Sequence, residues 1–80
     1  MWMYITEDDR AREAHLSVLA GMLNRSVEAL AGQVLVGPAE HCAAILRSYA
    51  EAGFDTVFVW PLADREQQLE RLMRDIAPLV

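Results

Sequence analysis

The 80-residue sequence has no lysine, a single cysteine and no long hydrophobic run. Its seven arginines are outnumbered by twelve acidic residues, which gives a formal net charge of −5. Nucleic acids and anionic membranes attract basic surfaces, so the sequence predicts neither as a partner. No charge-free stretch exceeds eleven residues, and the one between Glu28 and Glu40 is interrupted by two glycines and a proline. A membrane-spanning helix needs about 20 apolar residues, and none is predicted.

Cys42 alone cannot close an internal disulfide or build a thiolate metal site. The first residues show neither a basic region nor a cleavage site of the secretory type. We therefore expect a cytoplasmic protein that folds by burial alone. The hydrophobic share is 54%, yet domains of roughly 70–80 residues gain only a few kcal/mol from their cores. This excess indicates apolar faces that another chain, or further parts of the same chain, would cover.

Apolar residues at helical spacing predict a first helix over residues 7–23, ended near Asn24. Thr6 and Asp9 resemble a capping box at its start. Ser26 is expected to cap a short helical turn over residues 27–31, which the following glycine ends.

Residues 33–36 are β-branched, short and bounded by glycine, a pattern typical of a buried strand. A second helix is predicted over residues 38–52. Residues 54–60 form the strongest predicted strand, because β-branched and aromatic side chains alternate onto both of its faces. Asp64 is expected to cap a final helix that ends at Pro78. Its predicted buried stripe consists of Leu69, Leu72, Met73 and Ile76.

The predicted element order is α-β-α-β-α, with two parallel strands joined by a right-handed helical crossover. We expect a single α/β domain over residues 1–80, in which residues 1–32 form the leading helix and turn and residues 33–80 form a βαβα unit. Two strands leave both sheet edges open. The sequence therefore predicts a homo-oligomer that pairs through these edges. Val57 is expected in the core, so Val57→Asp should abolish soluble assembly.

The sequence assigns no catalytic and no metal-binding residue. His15 and His41 lack a third ligand at metal-site spacing, and His15 is expected to be a core or semi-buried histidine. His41 and Cys42 are adjacent on a helix and point about 100° apart, so they do not form a nucleophile–base pair. Cys42 is expected to be a buried, inert small hydrophobe. No serine-hydrolase elbow surrounds any of the serines Ser17, Ser26 and Ser48.

Gly37 precedes a predicted helix and allows two interpretations. The favoured interpretation is a tight strand-to-helix turn, and the other is a contribution to a phosphate cradle at the helix start. Phe58 and Trp60 are expected to pack in the core, although Trp60 lies at the carboxyl end of its strand, where open α/β folds bind ligands. Several acidic residues are expected to cap helices or to lie on solvated faces: Asp55, Asp64, Glu66 and Glu70.

Four segments carry a family resemblance: LVGPAEHCAAIL (residues 35–46), YAEAGFDTVFVWPL (49–62), EQQLERL (66–72) and IAPL (76–79). In this order they resemble the carboxyl-terminal end of luciferase-like flavin- or deazaflavin-dependent monooxygenases. The resemblance implies the last two strands of a TIM barrel with the helix between them, hence a partial (β/α) TIM-barrel fragment.

For the full-length family the resemblance implies oxidoreductase chemistry with FMN or the deazaflavin coenzyme F420 on an organic substrate. The family's cofactor-binding loops and catalytic residues come mostly from earlier strands, so no cofactor-binding residue is carried over to this chain. The isolated chain is accordingly expected not to be catalytic. A second interpretation stays open, in which the chain is a small self-associating α/β interaction module without a cofactor.

Overall fold

The computed structural model describes residues 1–80, and its core is a sheet of three short parallel strands between helices. A π-helical turn (Leu72–Ile76) and a 3-10 turn (Ala77–Leu79) continue the last helix. The elements in chain order are β1 (Trp2–Ile5), α1 (Asp9–Leu23), α2 (Val27–Ala31), β2 (Leu35–Gly37), α3 (Ala39–Glu51), β3 (Trp60–Pro61) and α4 (Arg65–Arg71).

β1 is the central strand of the sheet and was not predicted from the sequence. On one side Met3 lies opposite Leu35 of β2, and on the other Trp2 lies opposite Trp60 of β3, both in parallel register. The strand order is therefore β2-β1-β3. The predicted parallel α/β class is confirmed, whereas the predicted two-stranded sheet is wrong, because β1 lies between the two predicted strands. The element order begins with a strand because this four-residue segment pairs with β2 at one edge and with β3 at the other.

The segment before Trp60 is the largest departure from prediction. Only Trp60–Pro61 is a strand, and the one main-chain hydrogen bond of residues 55–59 runs from the Met1 amino group to the Phe58 carbonyl. The reason is geometric: Trp60 already pairs with the first residue of β1, so the preceding residues extend beyond the end of that strand. Phe58 is 72% exposed, Trp60 54% and Val57 36%. Core burial of these side chains is therefore a wrong prediction, and the argument that Val57→Asp places a charge in the core does not hold.

Helix α1 begins two residues later than predicted, because Asp8 rather than Thr6 caps it. The Asp8 carboxylate accepts a hydrogen bond from the Arg10 backbone N–H at 2.9 Å, while the Thr6 hydroxyl accepts one from the Asp8 N–H. Asn24 ends α1 in the left-handed conformation with φ 53°. This end of the helix agrees with the prediction.

The next two helices closely follow the prediction. The Ser26 hydroxyl caps α2 by accepting a hydrogen bond from the Ala29 N–H at 3.2 Å, and Gly32 follows the last helical residue. α3 occupies Ala39–Glu51 with Pro38 at its cap position. β2 covers Leu35–Gly37 rather than residues 33–36, because its register is set by pairing with β1.

The helices cover both faces of the sheet. On one face Met3, Ile5 and Leu35 pack against α3 and the π turn through Cys42, Ala43 and Ile76. On the other face Val34 and Val36 pack against α1 and α2 through Leu16, Leu19 and Leu30. α1 follows β1 and lies on one face, and α3 follows β2 and lies on the other, as two right-handed connections in opposite directions would place them. The result is a three-layer arrangement with the order seen in open doubly wound sheets.

Gln68 completes the sheet on the β3 side of β1. Its side-chain oxygen accepts a hydrogen bond from the Ile5 N–H at 2.6 Å, and its side-chain nitrogen donates one to the Ile5 carbonyl at 3.0 Å. Gln68 is 2% exposed. The amide thus provides the hydrogen bonds that a longer β3 would have made to Ile5, and it fixes α4 against the sheet.

The last helix presents a different face from the predicted one. Ile76 is buried as expected, but Leu69 and Met73 are exposed and Gln68 takes the inward position. The wider π turn brings Gln68 and Ile76 onto the same side of the helix. Asp64 stands at the cap position without a side-chain capping bond.

No helix of the structure combines the length and the apolar character needed to cross a bilayer.

We predict that Gln68→Leu destabilises the fold by about 1–3 kcal/mol, the cost of leaving a buried N–H group without a partner. The orphaned donor is the Ile5 N–H, since the Ile5 carbonyl keeps a bond from Arg71. The effect is measured by urea unfolding, in which a lower midpoint with an unchanged m-value reports a loss of stability. The control is Gln67→Leu at the adjacent exposed position. Equal stability of the two variants would contradict this role of Gln68.

Candidate functional site

The carboxyl ends of the three parallel strands lie at one edge of the sheet. In open α/β sheets ligands bind beside these ends, where successive connections leave in opposite directions. Here that point lies between β1 and β3, flanked by residues 6–8 and 62–64. It is therefore the first place to look for a functional site.

Tyr4, Asp64 and His15 meet at this edge. The Tyr4 hydroxyl donates a hydrogen bond to the Asp64 carboxylate at 2.8 Å, and this bond, with burial and the nearby negative charge, raises the pKa of Tyr4. The His15 ring lies on the Tyr4 ring with centroids 4.1 Å apart. His15 is half-buried, in agreement with the prediction. Asp64, with φ 50°, thus holds Tyr4 instead of capping α4.

Arg71 closes the same edge with an ion-pair network. Its guanidinium donates to the Glu7 carboxylate at 2.6 and 3.0 Å, to Asp75 at 3.0 Å and to the Ile5 carbonyl at 3.2 Å. The hydrogen bond from Arg71 lowers the pKa of Glu7, and bonds from Arg74 and Arg71 lower the pKa of Asp75. The pKa of Arg71 rises correspondingly. Because Arg71 of the last helix bonds Glu7 in the loop after β1, the network joins this loop to that helix.

The larger of two surface grooves lies along β3 and measures about 410 Å³. Its walls are Val59, Trp60, Pro61, Arg65 and Leu69. The Trp60 ring also packs on Trp2, with centroids 6.0 Å apart and planes inclined by 51°. The groove is open, and three of its five lining residues are hydrophobic.

Cys42 is fully buried, and burial raises the pKa of its thiol to about 11. Its sulfur lies 3.7 Å from the Gly37 carbonyl oxygen. The predicted burial of Cys42 is confirmed. The His41 Nε2 lies 3.1 Å from the Ala31 carbonyl oxygen, so this histidine joins α3 to α2 instead of contacting the thiol.

Gly37 makes the tight turn between β2 and α3. Its φ of 139° lies in the region that favours glycine, and the Arg12 side chain packs directly on it. A Cβ atom at this position would lie 2.9 Å from the Arg12 Nε. The Arg12 Nε also donates to the Val36 carbonyl at 3.4 Å. The turn interpretation of Gly37 therefore has a specific structural basis.

The remaining polar residues singled out in the sequence have local roles. The Ser48 hydroxyl donates to the Ile45 carbonyl, and the Asp55 carboxylate accepts from the Thr56 hydroxyl. Ser17, Glu66 and Glu70 are exposed. No group of three or more His, Cys, Asp or Glu side chains is arranged to hold a metal ion.

Gln68, Arg71 and Arg12, the side chains that organise the edge, were not predicted from the sequence. Their contacts to β1 and β2 span 24 to 66 residues. Only the spacing of Arg71 and Asp75 at i and i+4 gave a local signal of an ion pair.

Comparison of the chain with protein-family models, curated proteins and solved structures gave no match.

We predict that Gly37→Ala destabilises the protein by about 1–3 kcal/mol, the usual range for a strained backbone. The alanine Cβ also displaces Arg12. Gly21→Ala is the matched control, because nothing lies within 4 Å of its Cβ and it sits in a helix. That variant should gain roughly 0.5–1 kcal/mol. Thermal and urea unfolding test the pair, and a neutral Gly37→Ala would contradict the assigned turn.

We also predict that the free energy of unfolding depends on pH through the ion pairs of Arg71 with Glu7 and Asp75. Because the folded-state pKa values of Glu7 and Asp75 are lowered, their contribution is present above their ordinary values of 4.5 and 3.8. It is lost as the pH falls through the folded values. Arg71→Met should therefore lose less stability than the wild type between pH 5 and about pH 3. Urea titrations at several pH values measure this. Arg47→Met, at an exposed position, should follow the wild-type curve, and a parallel curve for Arg71→Met would contradict the network.

Proposed function

We propose that this chain is the carboxyl-terminal part of a luciferase-like flavin- or deazaflavin-dependent oxidoreductase, and that it supplies structural units to that enzyme. The sequence support is the ordered set of segments over residues 35–80 that resembles the end of that family. The structural observation that carries the proposal is the apolar segment Phe54 to Val59, which has strand composition but lacks a strand partner. Such a segment is what remains when neighbouring strands of a larger sheet are missing.

A partial TIM barrel is the finer form of this proposal. In a closed barrel consecutive strands are neighbours and all helices lie outside. The free chain instead has β1 between β2 and β3 and helices on both faces. The proposal therefore requires β3 to leave β1 and pair beside β2 in the full enzyme. Only two residues of β3 are paired with β1, so few hydrogen bonds oppose this exchange.

The proposal places the flavin site in other parts of the enzyme. The groove along β3 is lined by five residues, of which Arg65 is the one with a charged side chain. Arg71, at the end of the sheet, is already engaged by two carboxylates and a carbonyl. A flavin phosphate and ring need donors converging from several loops, so the chemistry of the proposed enzyme is assigned to its other parts.

A second function is favoured by the strand order. A sheet covered on both faces is a self-consistent α/β unit, and its exposed apolar groove and edge suit an interaction module. In this case the chain binds a partner without any cofactor. The two functions differ in the environment that they predict for Val57.

A chimera tests the first proposal. Residues 35–80 of this chain replace the matching terminal segment of a luciferase-like monooxygenase, and flavin binding is measured by fluorescence quenching. We expect a folded chimera that binds flavin. Val57→Asp in the chimera should abolish folding because the strand is covered on both faces there, whereas Val57→Thr should be tolerated. In the free chain, Val57 is partly exposed and Val57→Asp should leave the fold intact.

Failure of the chimera to fold, or a chimera that accepts Val57→Asp as readily as Val57→Thr, would overturn the barrel proposal. The interaction module would then be the better description.

A further inference from the structure

The segment Phe54 to Trp60 presents one free backbone edge. The N–H groups of Trp60 and Leu62 donate to the Met1 and Met3 carbonyls, and the Phe58 carbonyl accepts from the Met1 amino group. In an extended chain alternate residues direct their backbone groups to opposite sides. The backbone groups of Val59, between Phe58 and Trp60, therefore point away from β1, and Asp55, Val57 and Val59 have no backbone hydrogen-bond partner.

We propose that this edge pairs with the same edge of a second copy, antiparallel and centred on Val57. A two-fold axis at Val57 sets its backbone opposite that of its own copy, as a pair that exchanges two hydrogen bonds. Asp55 then lies opposite Val59 of the second copy, and Val59 lies opposite Asp55 of the second copy. The three pairs provide about six hydrogen bonds, two for each directly opposed pair. Pro61 has no N–H and ends the ladder.

The side-chain pattern of the segment is self-complementary in this register. Phe54 lies opposite Trp60 of the second copy, and Thr56 lies opposite Phe58, so the aromatic rings meet across the strands. Asp55 is the only charged residue of the segment, and the two-fold register places it opposite Val59 and not opposite its own copy. Exposed Phe54, Phe58 and Trp60 would be covered together. This match is the reason for assigning a second copy as the occupant.

The pairing joins two three-stranded sheets into one six-stranded sheet with the order β2-β1-β3-β3-β1-β2. It is a property of the free chain and does not depend on the proposed oxidoreductase ancestry. In a complete barrel the same edge would be occupied by strands of the same polypeptide. The dimer and the chimera can therefore fail independently of each other.

Sedimentation equilibrium and a cysteine pair test the proposal. The wild-type chain at tens of micromolar should approach twice its mass of 9.0 kDa. Val57→Cys should form a covalent dimer under mild oxidation, because directly opposed Cα atoms are about 5.5 Å apart, within the range for disulfides. Asp55→Cys is the matched control on the same edge. Its two copies lie four residues apart, roughly 13 Å, so it should cross-link at least about tenfold more slowly.

Cys42 is buried in every variant, and the wild-type chain should not cross-link. Val57→Asp should give a folded monomer by circular dichroism and sedimentation, because two carboxylates would face each other, while Val57→Thr should stay dimeric. A wild-type monomer at tens of micromolar would overturn the proposal. Equal cross-linking of Val57→Cys and Asp55→Cys, or a dimer that persists in Val57→Asp, would overturn the proposed register.

Discussion

Every layer of this fold depends on the hydrogen bonding of β1 on both of its edges. β2 satisfies one edge, and β3 together with the Gln68 amide satisfies the other. A buried strand with an unpaired edge would leave backbone donors and acceptors without partners, at a cost of about 1–3 kcal/mol for each group. Because Gln68 belongs to α4, the same contact that completes the sheet also holds the last helix. The Arg71 network adds a second tie between that helix and the loop after β1.

The arrangement is complete around β1 and incomplete at β3. The two faces near β1 are covered by helices, whereas β3 contributes only two paired residues and is preceded by an exposed apolar segment. A chain of this size cannot cover every apolar face with its own residues. The structure therefore concentrates its open surface at one edge, where either a second copy or the remaining strands of a larger enzyme can add. The two proposals differ in the occupant of that edge but rest on the same observation.

Local signals in the sequence predicted the helix boundaries well. Asn24 ends α1, Ser26 caps α2, and Gly37 turns the chain into α3, because each acts through its own backbone or a neighbour within a few residues. The site at the sheet edge was not predictable in the same way. The bonds of Gln68 and Arg71 to Ile5 cross more than 60 residues, and no periodic pattern encodes them.

The two errors in the strand prediction have one physical cause. Strand propensity states that a segment suits a sheet, but a strand exists only where a partner lies beside it. The segment of residues 2–5 is short and lacks turn signals at its ends. It is nevertheless the central strand, because β2 lies on one side of it and β3 on the other. Residues 54–59 have the stronger composition but form no strand ladder, because β1 begins opposite Trp60 and these residues precede that level. Composition thus shows that residues 54–59 suit a strand, but it does not show which segment lies beside them.

Amide hydrogen exchange followed by NMR tests the central place of β1 most directly. The structure predicts that the Ile5 N–H, bonded to Gln68, and the Thr6 N–H, bonded to Gly37 at 2.8 Å, exchange only through global unfolding. Their exchange free energies should equal the free energy of unfolding measured by urea. Exchange of both amides at the rate of an unfolded chain, while the rest of the protein stays protected, would contradict the account.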